Sequence, residues 1–189
     1  MMRKKRISPK DDYVVWIEKA LERFLPSVKV HPPQVNEAMR YAVLDGGKRF
    51  RPLVVLSACG AVGGDPRRAL LPACAIEFIH AYSLVHDDLP ALDNDEMRRG
   101  KPACHRKFGE AMAILAGDGL LTGAFQLLSQ VRPAPKALLL IHELAEAAGT
   151  RGMIGGQVAD ILLPEGELSS LNLSTLDFIN RQKTGRLIQ

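Results

Sequence analysis

The segment from Arg67 to Asp88 constrains the fold more than any other. It reads RRALLPACAIEFIHAYSLVHDD, contains no glycine, and closes on two adjacent carboxylates. Asp65 followed by Pro66 is a start signal for a helix, and Pro72 should bend that helix or delay its onset. A helix this apolar asks for burial. Charges at its end are costly to bury unless a partner is supplied.

The other segments also read as helix. Ser8 can cap and Pro9 can take the first helical position of an amphipathic run through Tyr13, Trp16, Leu21 and Phe24, ended by Pro26. A second helix starts near Pro33, presents Val35, Met39, Ala42 and Val43, and stops at Gly46-Gly47. A third covers about 49–61. The stretch DLPALDNDEMRRGKPACHRKFG is polar and carries Pro90, Gly100 and Pro102, so it reads as a helix end and a loop. A helix over about 111–131 contains Gly117, Gly119 and Gly123. Each costs about 1 kcal/mol of helix stability and lets a neighbour come close. Pro133 and Pro135 mark a turn before a helix over 136–148, and Gly155 and Gly156 thin the next one, which ends near Leu163. PEGELSSLNL reads as a loop, and Ser174 with Asp177 as a capping box that starts the last helix. No strand alternation and no repeat emerges. The expected fold is all-α, a helix bundle forming a single domain over 1–189, with residues 1–8 disordered.

Composition narrows the setting. The net charge is +4, and Arg3, Lys4, Lys5, Arg6 and Lys10 supply five positive charges, so the rest of the chain is close to neutral. No nucleic-acid partner follows from that balance. Cys59, Cys74 and Cys104 are odd in number and far apart, outside any paired metal-ligand spacing. They fit a reducing, cytoplasmic compartment rather than a disulfide framework. No long apolar run follows the basic start and none reaches about 18 uninterrupted apolar residues, so neither a secretory leader nor stable membrane insertion is expected.

Three groups of residues carry chemistry. His80 and Asp87 lie seven apart, two helical turns, on one face. Asp87 and Asp88 end the helix, and Asp93 can fold back across Pro90. Three such carboxylates repel unless a cation sits among them, and magnesium is commonly held by one or two carboxylates together with substrate phosphates. The cluster therefore points to Mg2+ bridged to a phosphorylated substrate, and Arg98 and Arg99 suit a diphosphate. The competing reading is a solvated loop of self-paired charges. In Gly46-Gly47-Lys48-Arg49-Phe50-Arg51-Pro52 the glycines free backbone N–H groups, while Lys48 and Arg51 can point the same way toward a second anion. A helix end followed by a basic turn would read the same. In Lys183-Thr184-Gly185 an ammonium beside a hydroxyl can bind phosphate oxygens, or can simply be a solvated lysine and a helix-bonded threonine. Gln157, Asp160, His105 and Lys107 are weaker candidates for lining a pocket.

IHAYSLVHDDLPALDNDEMRRGKP resembles the first aspartate-rich region of the trans-prenyltransferase family, above all of its bacterial farnesyl diphosphate synthases. AMRYAVLDGGKRFRP, GDGLL, GMIGGQVADI and KTGRLI are similar to further family segments in the expected order, over roughly residues 35 to 189. The resemblance implies an isoprenoid-synthase-type helix bundle around a central apolar cavity, usually a homodimer. It implies that isopentenyl diphosphate is condensed with dimethylallyl or geranyl diphosphate to give farnesyl diphosphate. Asp87 and Asp93 would be the principal magnesium ligands, with Asp88 in support. Arg98 would hold the allylic diphosphate. Gly47, Lys48, Arg51, His80 and Arg99 would hold isopentenyl diphosphate, and Lys183 and Thr184 would contact the allylic diphosphate. Tyr82, five positions before Asp87, would form the cavity floor that stops growth at fifteen carbons. Simple core packing would also explain that ring.

The family's second aspartate-rich motif has no counterpart after Lys183, and the sequence stops at Gln189 inside what reads as a continuing helix. The 189 residues alone are expected to be a fragment that binds magnesium–diphosphate weakly and turns over poorly. Three rivals remain: a prenyl diphosphate synthase of another chain length, a non-catalytic partner subunit of a heteromeric synthase, and a His-Asp phosphohydrolase using His80, His86 and Asp87 with a distant Asp118 or Asp160.

Overall fold

The computed structural model describes residues 9–163 and 173–189. The Ser8 cap, the expected disorder of residues 1–8 and the expected loop over 164–172 lie outside the described residues. In chain order the elements are α1 (Pro9–Phe24), α2 (Pro33–Leu44), α3 (Phe50–Ala61), a 3-10 turn (Pro66–Ala69), α4 (Leu70–Asp87), β1 (Met97–Arg98), β2 (Lys101–Pro102), α5 (Cys104–Phe108) and α6 (Glu110–Ser129). Then follow α7 (Ala134–Ala148), α8 (Met153–Ile161), α9 (Leu173–Ile179), a π-helical turn (Asn180–Thr184) and a 3-10 turn (Gly185–Leu187). They divide into two compact units, Met1–Gln130 and Val131–Gln189.

The helical expectation holds, with one exception in the polar loop. Met97 pairs with Pro102 and Arg98 with Lys101 in a small antiparallel hairpin. Arg99 and Gly100 both have positive φ, at 54° and 79°, as a two-residue type I′ turn requires. Two residues per strand are too few to show alternation in a sequence.

In the first unit α4 lies against α1, α2, α3 and α6. Its onset is delayed as Pro72 suggests. The Asp65 side chain accepts a hydrogen bond from the Arg67 amide at 3.0 Å, a 3-10 turn follows, and Pro72 falls in the first turn of α4, where a missing N–H costs little. Buried α4 residues include Cys74, Phe78, Ile79, Tyr82 and Val85. Helix α6 buries Ala113, Ala116, Gly117, Leu120 and Ala124, a helical stripe. A Cβ on Gly117 would run into the His86 ring of α4, with Cε1 only 2.8 Å away, and one on Gly119 would sit 2.8 Å from Met39 Sδ of α2. The α6 glycines thus let two helices close on it. Segments Pro66–Asp87 and Glu110–Ser129 are long and apolar enough to cross a membrane by length and composition, and here they are packing partners in the core of this unit.

In the second unit α8 lies along the π-helical turn. A Cβ on Gly156 would stand 2.7 Å from Lys183 Cα, so the two backbones touch. The last helix departs from expectation. It begins at Leu173, which puts Ser174 inside its first turn rather than at a cap, and it widens into a π turn at Asn180 instead of running on.

Phe78 is 2% exposed and lies under Gly123. Phe78→Ala should cost about 3–5 kcal/mol, read as a lower urea midpoint with an unchanged slope.

Candidate active site

The chain leaves α2 through left-handed backbone, with φ of 90° at Gly46, 132° at Gly47 and 48° at Arg49. At Gly47 a side chain is excluded twice over: the φ disfavours it, and a Cβ would meet Arg99 Nη1 at 2.9 Å. Arg99 in turn donates to the Gly46 carbonyl. Lys48 is exposed and Arg51 half-buried, and both line a cavity of about 670 Å3 together with Gly47, His80, Arg98 and Arg99. These six expected ligands come together. Lys48, Arg49, Arg51, Arg98 and Arg99 outnumber Asp45 and Glu77 along the wall, so its charge is that of an anion site, while Phe50 and Leu84 add apolar surface.

The acidic loop folds back as its sequence suggests. The Asp93 amide donates to the Asp87 carbonyl at 2.8 Å, and the Asn94 amide donates to the Leu89 carbonyl at 3.1 Å. Asp88, 2% exposed, is gripped by Arg98, whose Nε lies 3.0 and 3.1 Å from its two carboxylate oxygens and whose Nη2 also contacts it. Arg98 reaches Asp95 at 3.0 Å as well, while Glu96 pairs with Arg106 at 3.3 Å and Asp45 with Lys101 at 2.5 Å. For this part of the loop the self-paired reading is the right one. Asp88 turns its charge to Arg98 rather than to its acidic neighbours. Among the described residues no three His, Cys, Asp or Glu side chains form a metal cage. Asp87 and Asp93, joined through the backbone, offer two carboxylates. That donor set fits magnesium, which completes its shell with water and substrate phosphate oxygens.

Electrostatics mark the cavity. Burial pushes the His80 pKa down to about 3, and Arg51, Arg99, Arg98 and Arg49 push the same way, so the ring is neutral at pH 7. Burial also lowers the Arg51 pKa, against the pull of Glu77, and Arg51 Nε is buried with no hydrogen-bond partner among the described residues. A buried donor without an acceptor beside further cations is a place for a multivalent anion.

Tyr82 is 6% exposed, its ring edge-on to His86 at 5.8 Å, and its hydroxyl is buried without a partner among the described residues. His86 Nε2 lies 3.1 Å from the Ile114 carbonyl of α6, whereas His80 lines the cavity. The two histidines do not converge, which removes the His-Asp phosphohydrolase alternative. His105 is buried, and Lys107 stacks over the Tyr41 ring at 3.9 Å; neither lines the cavity. In the second unit Lys183 Nζ meets Asp160 Oδ2 at 2.5 Å, and Gln157 Oε1 is buried without a partner among the described residues. Thr184 closes the π turn beside Lys183.

Sequence reasoning passed over Arg49, which the fold buries to 2% exposure between Glu18 and Glu77. Glu77 was the available signal, as the one acid in the apolar run before Asp87. A carboxylate buried alone demands a cationic partner.

A bundle with this cavity beside an acidic helix end has the fold of the isoprenoid synthases. It superimposes with a TM-score of 0.87 on an FPP/GFPP synthase from Zymomonas mobilis, at 41% identity, covering 94% of this chain and 65% of the other. Residues 32–189 match the polyprenyl synthetase profile, and the chain belongs to that family. It is 52% identical over 177 residues to a farnesyl diphosphate synthase of Geobacillus stearothermophilus, covering 92% of this chain and 58% of that protein. It is 44% identical to geranylgeranyl pyrophosphate synthase 4 of Arabidopsis thaliana, covering 92% of this chain and 46% of the relative. The chain therefore spans about half the length of the relatives it matches.

The His80 shift carries a pH signature. The unfolded ring takes up a proton below about pH 6.5, and the native ring resists until about 3. Stability is thus full above 6.5 and drains away as pH falls from there. His80→Gln should flatten that fall, measured as urea midpoints at pH 7 and 4.5.

Proposed function

We propose that the protein joins isopentenyl diphosphate to an allylic diphosphate, dimethylallyl or geranyl, and releases farnesyl diphosphate. One observation carries this reading above the rest. Arg98 lines the cationic cavity and is at the same time gripped by the acidic loop, so the anion site and the carboxylates belong to one construction. The farnesyl diphosphate synthase at 52% identity supports the same activity.

Lys48, Arg51, Arg99, neutral His80 and the backbone at Gly47 hold the diphosphate of isopentenyl diphosphate. Asp88 aims Arg98 at the allylic diphosphate. Asp87 and Asp93 hold Mg2+, which when bound neutralises charge on the departing diphosphate. In the second unit Lys183 and Thr184 set an ammonium next to a hydroxyl, a pair with the chemistry to bind phosphate oxygens. The allylic C–O bond breaks and its electron pair leaves with the diphosphate. The isopentenyl double bond then attacks the allylic carbon to form the new C–C bond. A proton leaves the carbon next to the resulting cation, and the released diphosphate accepts it. No side-chain nucleophile is required. Cationic groups already in place cost no reorganisation as charge develops, and apolar walls keep water from the cation. We assign the working form to a cytoplasmic homodimer.

The reaction is tested by incubating the protein with magnesium, geranyl diphosphate and isopentenyl diphosphate and separating the products by chain length. A C15 diphosphate is expected. Copurification with a different, catalytic subunit would favour a non-catalytic partner subunit instead. Asp87→Asn and Asp93→Asn should each lower kcat by about 10²–10³-fold, the scale of losing one transition-state charge partner. Tyr82→Ala should shift the products toward twenty carbons and beyond. An unchanged C15 product would mean that Tyr82 is core packing only.

A further inference from the structure

Arg49 sits in the middle of the cationic loop and borders the same cavity, but its guanidinium is turned to the protein. Its guanidinium is spent on protein acceptors: Nε to Glu18 Oε1 at 2.7 Å, Nη1 to Glu77 Oε1 at 2.8 Å, and Nη2 to the Val43 carbonyl at 2.8 Å and Glu18 Oε2 at 3.3 Å. Those partners come from α1, α4 and the end of α2. Its backbone is left-handed, at φ 48°, a conformation that a non-glycine residue holds only when its surroundings impose it. Its sequence neighbours have the opposite character. Lys48 is exposed and Arg51 half-buried at the cavity wall, and among the described residues neither has a carboxylate partner.

We propose that Arg49 is a positioning residue for the diphosphate subsite: clamped by Glu18, Glu77 and the Val43 carbonyl, it turns the loop so that Lys48 and Arg51 face the cavity. This rests on the assignment of that cavity to a diphosphate. The reason for a clamp is electrostatic. Lys48, Arg49, Arg51, Arg98 and Arg99 gather in a small space, and without a restraint their repulsion would drive the loop outward before any anion arrives. Two carboxylates cancel Arg49 and convert the middle of the cationic run into an anchor. Preorganisation of this kind lowers the ordering cost of binding. Glu18 does not line the cavity, so its influence on an anion there can only be indirect.

Two simple alternatives predict other results. If the carboxylates acted only as charges, removing one would reduce repulsion and tighten anion binding. If the clamp were only structural, stability would fall while affinity stayed constant. The clamp predicts weaker binding when a negative charge is removed.

The experiment measures pyrophosphate binding to the 189-residue chain by calorimetry, once with chelator and once with excess magnesium. Glu18→Gln and the charge-conserving Arg49→Lys, which loses the guanidinium fork, should each weaken metal-free binding by about tenfold, the scale of a small misplacement of binding groups. The magnesium-dependent increment, assigned to Asp87 and Asp93, should change less than about twofold. Glu77→Gln should behave likewise, and if it fails to fold, the half-exposed Glu18 decides alone. Affinity unchanged or tightened in folded Glu18→Gln overturns the clamp while leaving the cavity assignment standing. Absence of metal-free binding by the unsubstituted chain overturns the cavity assignment and the clamp with it.

Discussion

Helix α4 is buried along most of its length, yet it carries Glu77 and His80 in its middle and Asp87 and Asp88 at its end. Every neighbour is arranged around making that tolerable. Glu77 receives Arg49, Asp88 receives Arg98, and His80 stays neutral because it is buried and, beyond that, because cations surround it. An ion pair removed from water gains little net stability, but breaking one side of it is expensive. The polar groups of α4 therefore act less as glue than as fixed points. Two loops distant in sequence are tied to one helix, and the cavity lies where those loops meet.

The apolar packing sets the accuracy of this arrangement. Met39 and His86 fit over Gly119 and Gly117 of α6, so α2 and α4 share one tightly packed neighbour. The loop carrying Lys48 leaves α2, and the acidic loop leaves α4. Their mutual placement is inherited from side chains that touch no ligand.

Much of this was legible in the residues, for identifiable reasons. Prolines and paired glycines punctuate the chain so firmly that helix ends fall within a few residues of expectation, with Asp65-Pro66 opening the 3-10 turn and Pro72 marking the delayed start of α4. The folding back of Asp93 follows from Pro90 and the short span to Asp87. Other features were not legible because they depend on contacts across the fold. That Arg49 is an anchor while Lys48 and Arg51 are free could not be told from three cations in a row. The grip of Asp88 on Arg98 needs a hairpin only two residues per strand. The π turn that carries Lys183 lies backbone to backbone against Gly156 of another helix, a contact that no local propensity encodes.

That turn has a consequence for how the end of the chain should be compared with its relatives. A π turn holds one residue more than an α turn, so everything beyond it is rotated by about 100° relative to an uninterrupted helix. A wheel drawn straight through from buried Ile179 would turn Arg186 inward, seven residues on, whereas Arg186 is exposed and Leu187 is the buried residue, at 5%. Aligning Arg186, Leu187 and Ile188 by helical phase alone would pair wrong positions, and an insertion or deletion near Asn180 would be invisible to such a scheme while reversing which residue points inward.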